Sequence, residues 1–370
     1  MGKQNLEKIF PADVLSKRER VEATLDLRPV DRIALHDQIK SNPDVVSLYA
    51  GKRIVGFDYT LDDVCLAARR SLDMTFPPAA PIGTGVIVTD DGFSKQCDNW
   101  TSWVIKRPFD DIAGAQRWLW KNLQNIKDEK IGANTRVAYH DWFKNIQQKI
   151  GQTVLLDYPI NPGLPGVYSD LGMGLELFVY FCQDNMDLLR EYMEVKSEKW
   201  VQKLHVIADR DLSPAALIAE DIATTHGTIF SPDFLRQMVF PYVRNIAAAW
   251  HEHDIKVLYH SDGNWKKVIP DLIACGVDGF YCLEKNCGMD IVELKNAWPD
   301  MVWAGGVDGV DLMERGTPEQ VRAEALRHIS ETDALHTGGM FVGSSSEINP
   351  PIPAANFKAM VDAANEIRNK

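Results

Sequence analysis

The chain has 370 residues, 45% hydrophobic and 25% charged, with a formal net charge of −12, which is a soluble globular balance and excludes nucleic acid as a partner because phosphate binding needs clustered Lys and Arg. No run of eighteen apolar residues exists, so no membrane span is expected, and the length suits two small domains or one large α/β barrel with insertions. The six cysteines lack zinc-finger spacing and the N-terminus lacks the apolar core of a signal peptide, so a cytoplasmic protein with reduced thiols is expected.

Ser16 followed by Glu19 forms a capping box that opens a helix running to about Leu27. The run Lys17-Arg18-Glu19-Arg20 reads as the exposed face of that helix. A short strand follows at 32–35. Residues from about 50 to 150 are rich in Pro and Trp and read as a cap or insertion, with a small hairpin pairing 86–89 with 100–105 and a helix at 110–125.

From Thr153 the pattern becomes regular. Apolar strands are expected at 154–158, 216–220, 256–260, 279–283, 301–304 and 339–342. Helices fall between and after them at 174–209 (broken near Asp184-Asn185), 232–253, 265–274, 290–297, 317–332 and 353–369. Strand and helix in strict alternation signify βα units and a parallel sheet. With the strand at 32–35 the runs number seven, and an eighth in the first half would close a (β/α)8 TIM barrel. No Gly-x-Gly-x-x-Gly follows an early strand, which weakens the competing dinucleotide fold. We read 1–370 as one α/β barrel domain with an N-terminal helical and insertion segment.

Ligands of parallel α/β folds collect where strands end. Three strands in succession end in donors: Glu220-Asp221, His260-Ser261-Asp262-Gly263-Asn264, and Glu284. Histidine with several carboxylates suits a divalent metal or proton transfer; the bland alternative is a hydrogen-bonded histidine among helix-capping acids. Cys282, two residues before Glu284, shares its face in an extended strand and reads as a buried strand thiol.

The order of motifs resembles the uroporphyrinogen decarboxylase superfamily in its methyltransferase-like branch. The residues that carry this are Pro29-Val30-Asp31-Arg32-Ile33, Glu220-Asp221, Ile229-Phe230-Ser231-Pro232-Asp233-Phe234, His260-Ser261-Asp262-Gly263-Asn264, Gly276-Val277-Asp278, Gly288-Met289-Asp290, Gly305-Gly306-Val307-Asp308, Gly343-Ser344-Ser345-Ser346 and Pro353-Ala354-Ala355-Asn356. The resemblance implies a barrel with its site at the C-terminal mouth. The decarboxylases carry an Arg-rich Met-Arg-Gln-Ala-Gly-Arg segment that this chain lacks, and Ser346 stands near their glycine-flanked histidine. The methyltransferases exchange methyl groups with a corrinoid, often using zinc, and those acting on thiols use a His-x-Cys pair plus a distant Cys. Here the pair reads His260-Ser261-Asp262, and Gly338-Gly339 stands near the distant position.

On that resemblance the expected activity is methyl transfer from a small donor, an aryl methyl ether among the candidates, to a corrinoid. The chain lacks the Asp-x-His-x-x-Gly signature of corrinoid binding, so the corrinoid (cobalamin) belongs to a partner protein. Zinc is the expected Lewis acid, with Glu220, His260 and Glu284 as ligands, Asp262 as reserve ligand or catalytic acid, and Asp221 orienting His260 through its other ring nitrogen. Asp308 is a candidate proton donor or a turn-former, and His226, His336 and Ser346 are candidate substrate contacts. Two other readings stay open: a cofactor-free decarboxylase or lyase using the same groups as acid and base, and a non-enzymatic subunit. A homo-oligomer is compatible with either catalytic reading.

Overall fold

The computed structural model describes residues 8–159, 162–169 and 171–369. Eight parallel strands run in chain order around a barrel: β1 (Ala34–Asp37), β2 (Met74–Thr75), β3 (Val154–Leu155), β4 (Ala215–Ala219), β5 (Lys256–His260), β6 (Gly279–Tyr281), β7 (Val302–Val307) and β8 (Met340–Ser344). β1 pairs with both β2 and β8, and the neighbours continue through β3 on one side and back to β4 on the other. The last seam, between β3 and β4, is closed by a parallel bridge from Asp157 to Ala216, with Asp157 N donating to Ala215 O at 3.1 Å and Leu217 N to Asp157 O at 2.8 Å. This is the expected (β/α)8 barrel, and the eighth strand is Met74–Thr75.

Alternation along each strand sorts side chains into two cores. Ala34, Met74, Val154, Leu217, Leu258, Tyr281, Val302 and Phe341 fill the lumen. Leu35, Ile218, Val257, Tyr259, Phe280, Trp303 and Val342 face outward into a larger core beneath the helices. Phe280 lies between the rings of Trp265 and Trp303, with centroids 5.0 Å away on each side.

The helices begin and break for local reasons. Ser16 Oγ accepts from Glu19 N at 3.2 Å and Glu19 Oε2 accepts from Ser16 N at 2.8 Å, starting the helix Lys17–Leu25. The long helix Leu175–Ile207 kinks at Asn185, whose side chain donates to Phe181 O at 3.1 Å. The stretch expected as one helix at 232–253 is two, Pro232–Met238 and Phe240–His251, because Pro241 supplies no N–H to continue the ladder.

Residues 50–150 depart most from expectation. They contain β2 itself, barrel-packed helices Leu61–Ser71 and Ala133–Ile150, and an antiparallel sheet of three strands. The two runs expected to pair are its outer strands, Thr84–Val88 and Thr101–Lys106, and Ser94–Asp98 lies between them. The basic run on the first helix is not a solvated face: Lys17 and Arg20 are buried. Arg20 reaches Asp31 at 2.8 Å and Asp73 at 2.9 Å, and Lys17 donates to Thr153 Oγ1 at 2.9 Å. Among the described residues, no helix is long and apolar enough to cross a membrane.

Candidate metal centre

His260 is the last residue of β5 and, like Leu258 two places earlier, points into the lumen. Its register neighbours are Ala219 of β4 and Tyr281 of β6, and its ring lies 5.5 Å from that of Tyr281. The chain then turns sharply. Gly263 has φ +78, and a Cβ there would lie 2.6 Å from the Thr224 carbonyl, so only glycine fits. Ser261 is buried and holds the turn: its Oγ accepts from Ile222 N at 3.1 Å and donates to Asp262 O at 2.9 Å, while Trp265 Nε1 donates to its carbonyl at 2.7 Å.

This turn brings Asp262 beside His260, with Asp262 Oδ1 3.9 Å from His260 Nε2. A third donor comes from β6. The strand ends at Tyr281, and Cys282 takes a left-handed backbone with φ +70, a costly conformation for a residue with a Cβ. Ligand atoms of His260, Asp262 and Cys282 lie within 4.8 Å of one another, and they are the group among the described residues that could hold a metal ion. The thiol is buried and at present donates to Ser345 O at 2.7 Å.

The donor set therefore differs from the expected one. Glu220 and Glu284 end their strands at the mouth but stand outside the cluster. Glu220 is buried, and its Oε1 accepts from Gly163 N at 2.5 Å. Glu284 Oε2 accepts from Gly263 N at 2.6 Å, so it braces the turn that presents Asp262. Asp221 does face His260, but at Nε2, 3.3 Å away, the same nitrogen that faces Asp262; Nδ1 is buried and has no partner.

Burial opposes charge on His260, yet Asp221 and Asp262 outweigh it and raise the imidazole above its ordinary value. Asp221 is pushed up by burial and pulled further down by His260, so its carboxyl lies below the usual range. Burial and the neighbouring Asp221 raise Asp262, and burial with Asp262 beside it raises the Cys282 thiol well above its ordinary value. Nitrogen, oxygen and sulfur donors converging at one point fit a borderline-soft divalent ion such as zinc, which takes all three.

The other expected residues divide. Asp308 follows β7 but caps the next turn, its Oδ1 accepting from Val310 N at 3.0 Å and Asp311 N at 2.5 Å, which is the turn-forming reading. Ser346 follows β8 at the mouth, its Oγ donating to Glu347 at 3.1 Å. His226 is exposed on the tight hairpin formed by Ala223–Thr224 and Gly227–Thr228 after β4. His336 does not belong with them. It precedes β8, so it lies at the N-terminal rim, hydrogen-bonded to Asp333 at 2.6 Å.

The model of the uroporphyrinogen decarboxylase family matches residues 174–367, just over half of the chain and including β4 to β8. The chain belongs to this family. A methyltransferase from Methanosarcina mazei is similar in structure, with a TM-score of 0.66 at 18% sequence identity, over 95% of this chain and 98% of that one. A chitinase from Chromobacterium violaceum is more distant, with a TM-score of 0.42 at 7% identity over 90% of this chain and 100% of that one. Among curated proteins, none matches the chain in sequence. Within the family, sulfur reaches the mouth here from β6 through Cys282, while Asp262 stands where the thiol-specific methyltransferases were expected to place a cysteine.

Proposed function

We propose that this family member is a methyltransferase that moves a methyl group from a small donor, an aryl methyl ether being the best chemical fit, to a corrinoid carried by a partner protein. The observation that carries the reading is the convergence of His260, Asp262 and Cys282 at the mouth. These three residues would hold a zinc ion with a position left for substrate. When bound, zinc supplies Lewis acidity to the leaving oxygen of a methyl donor, which is otherwise a poor leaving group.

The chain's own residues do the positioning. Asp221 places a carboxylate 3.3 Å from His260 Nε2, the nitrogen that faces Asp262, while Glu284 and Ser261 fix the loop bearing Asp262, and the β6 terminus fixes Cys282. The buried walls of Tyr281 and Phe76, with ring centroids 5.4 Å apart, exclude water from the lumen below. The M. mazei methyltransferase supports this reading through its shared architecture.

A cofactor-free decarboxylase is the second reading. It is favoured by Glu220, which burial lifts to about 8 and whose Oε2 has no partner, as a proton donor would require. Metal analysis and single-turnover assays separate the two. The expected result is about one zinc per chain, lost in Cys282→Ala and His260→Ala together with methyl transfer to free Co(I) corrinoid. A metal-free protein in which both variants still demethylate ends the first reading.

A further inference from the structure

We propose that a second copy of this chain adds its own Thr84–Val88 strand to the edge of the small antiparallel sheet, giving a twofold dimer with a continuous sheet of six strands. In the order Thr84–Val88, Ser94–Asp98, Thr101–Lys106, the first strand is an edge, and all five of its residues are exposed. Edge strands of stable monomers are blunted by lysine, proline, a bulge or a covering element. The sequence Thr-Gly-Val-Ile-Val contains no charge and no proline, and although Gly85 takes φ +138 the strand pairs with Ser94–Asp98 without a register shift, the sheet's register shift lying between the other two strands.

The register shows which backbone groups are open. Thr89 N donates to Phe93 O at 2.9 Å and Asn99 N to Gly83 O at 2.7 Å, so the odd-numbered residues bond inward. Thr84, Val86 and Val88 therefore present N–H and C=O groups outward. An antiparallel copy centred on Val86 pairs all five residues, with Val86 opposite itself and Thr84 opposite Val88, and every outward group finds a partner. Any other centre leaves one end of the strand unpaired.

The side chains agree with the backbone. Val86, Gln96 and Trp103 stand in one row across the sheet. Exposure is 57% at Ile82, 58% at Val86, 51% at Ile87, 70% at Val88, 36% at Trp100 and 48% at Trp103. Ile87 alternates to the other face, and on the face of Val86, Val88 and Trp103 the exposed surface is on the order of 350 Å² and mainly apolar, the size of a typical monomer's largest patch, which is often functional. The absence of charge on the strand means that the net −12 of each copy does not meet at the contact.

The test is the mass of the full chain in solution, by light scattering and sedimentation up to the millimolar range. Wild type is expected at twice its 41.6 kDa. Val86→Lys sets two ammonium groups face to face and is expected to give a folded monomer that melts cooperatively with a Tm independent of concentration, since the replaced side chain is exposed within one chain. Val86→Cys reads the register: opposite residues of a hydrogen-bonded pair have Cα atoms about 5.5 Å apart, which a disulfide spans, so oxidation gives a covalent dimer. Val88→Cys places its sulfurs about 13 Å apart and gives none. A wild-type monomer at every concentration, a Val86→Lys dimer, or equal cross-linking of the two cysteine variants overturns the proposal; the first would leave the face to a different protein.

Discussion

At the N-terminal rim of the barrel, Asp13 and Asp73 are buried, and Asp31 half-buried, against Arg20 and Arg32. At the C-terminal rim, Asp37, Asp157 and Glu220 are equally buried, but none forms an ion pair among the described residues. The proton affinities follow. At the lower rim burial favours the neutral acids, but the guanidinium groups outweigh it and hold Asp13, Asp31 and Asp73 below the usual range. At the upper rim burial is unopposed by a paired cation and lifts Asp37 to about 8, Asp157 to about 7 and Glu220 to about 8. The lower rim spends its charge on joining the first helix to the starts of β1 and β2. The upper rim keeps acids that the fold alone does not neutralise, as expected of the functional end of such a barrel.

The largest effect should come from breaking the matched side. Arg32→Met removes one of the two guanidinium groups that contact both Asp13 and Asp73, leaving Arg20 as the other, and is expected to cost about 3–5 kcal/mol of unfolding free energy in urea titration. A loss below 1 kcal/mol would erase the contrast between the rims. Next is Asp221→Asn at the upper rim. It keeps the shape beside His260 but removes a negative charge next to the nitrogen that faces the metal position, and zinc affinity should fall about 10- to 100-fold in chelator competition with little change in melting temperature.

The acid and base limbs of the stability curve sharpen the contrast. Carboxylates depressed in the fold contribute stability above their unfolded pKa of about 4, lost as pH falls through the folded values. Raised carboxyls act in the opposite sense: their contribution is complete below about pH 4 and declines as pH rises to about 8. Asp37→Asn should therefore flatten the decline between those limits by at most about 1.4 kcal/mol per pH unit, and leave the acid limb unchanged. The smallest effect is expected from His336→Ala, at the exposed lower rim: under about 0.5 kcal/mol in stability, with unaltered turnover. A measurable loss of turnover there would mean that chemistry is not confined to the mouth.

Much of this was readable in the residues, and the exceptions have physical causes. β5 matches its expected bounds because an apolar run meets an obligatory glycine turn at Gly263. β2 is two residues long, too short to show any period. The helix Ala133–Ile150 buries only His140, Phe143, Ile146 and Ile150 at spacings of three and four, a thin stripe amid polar neighbours. His260 and Asp262 follow from the strand end alone. Cys282 does not, because strict alternation assigns it the face of Glu284, and only the left-handed backbone at that one residue turns its sulfur towards Asp262. The placement of His336 was available from chain direction, since a residue that precedes a barrel strand lies below it. The burial of Lys17 and Arg20 depends on acids 11 and 53 residues away from Arg20, which no local pattern reveals.

The cylinder has a weak stave. β3 is two residues long, and among the described residues it meets β4 at an isolated bridge, where Asp157 makes two backbone hydrogen bonds while its carboxyl accepts from the Tyr139 hydroxyl of the helix Ala133–Ile150. Thermal breathing should begin there, so amide protons of Asp157 and Leu217 should exchange with solvent before those of β5 and β7. Since Glu220 lies only four residues from Ala216, each such opening would wet an otherwise dry carboxyl while the remaining seven joints stay closed.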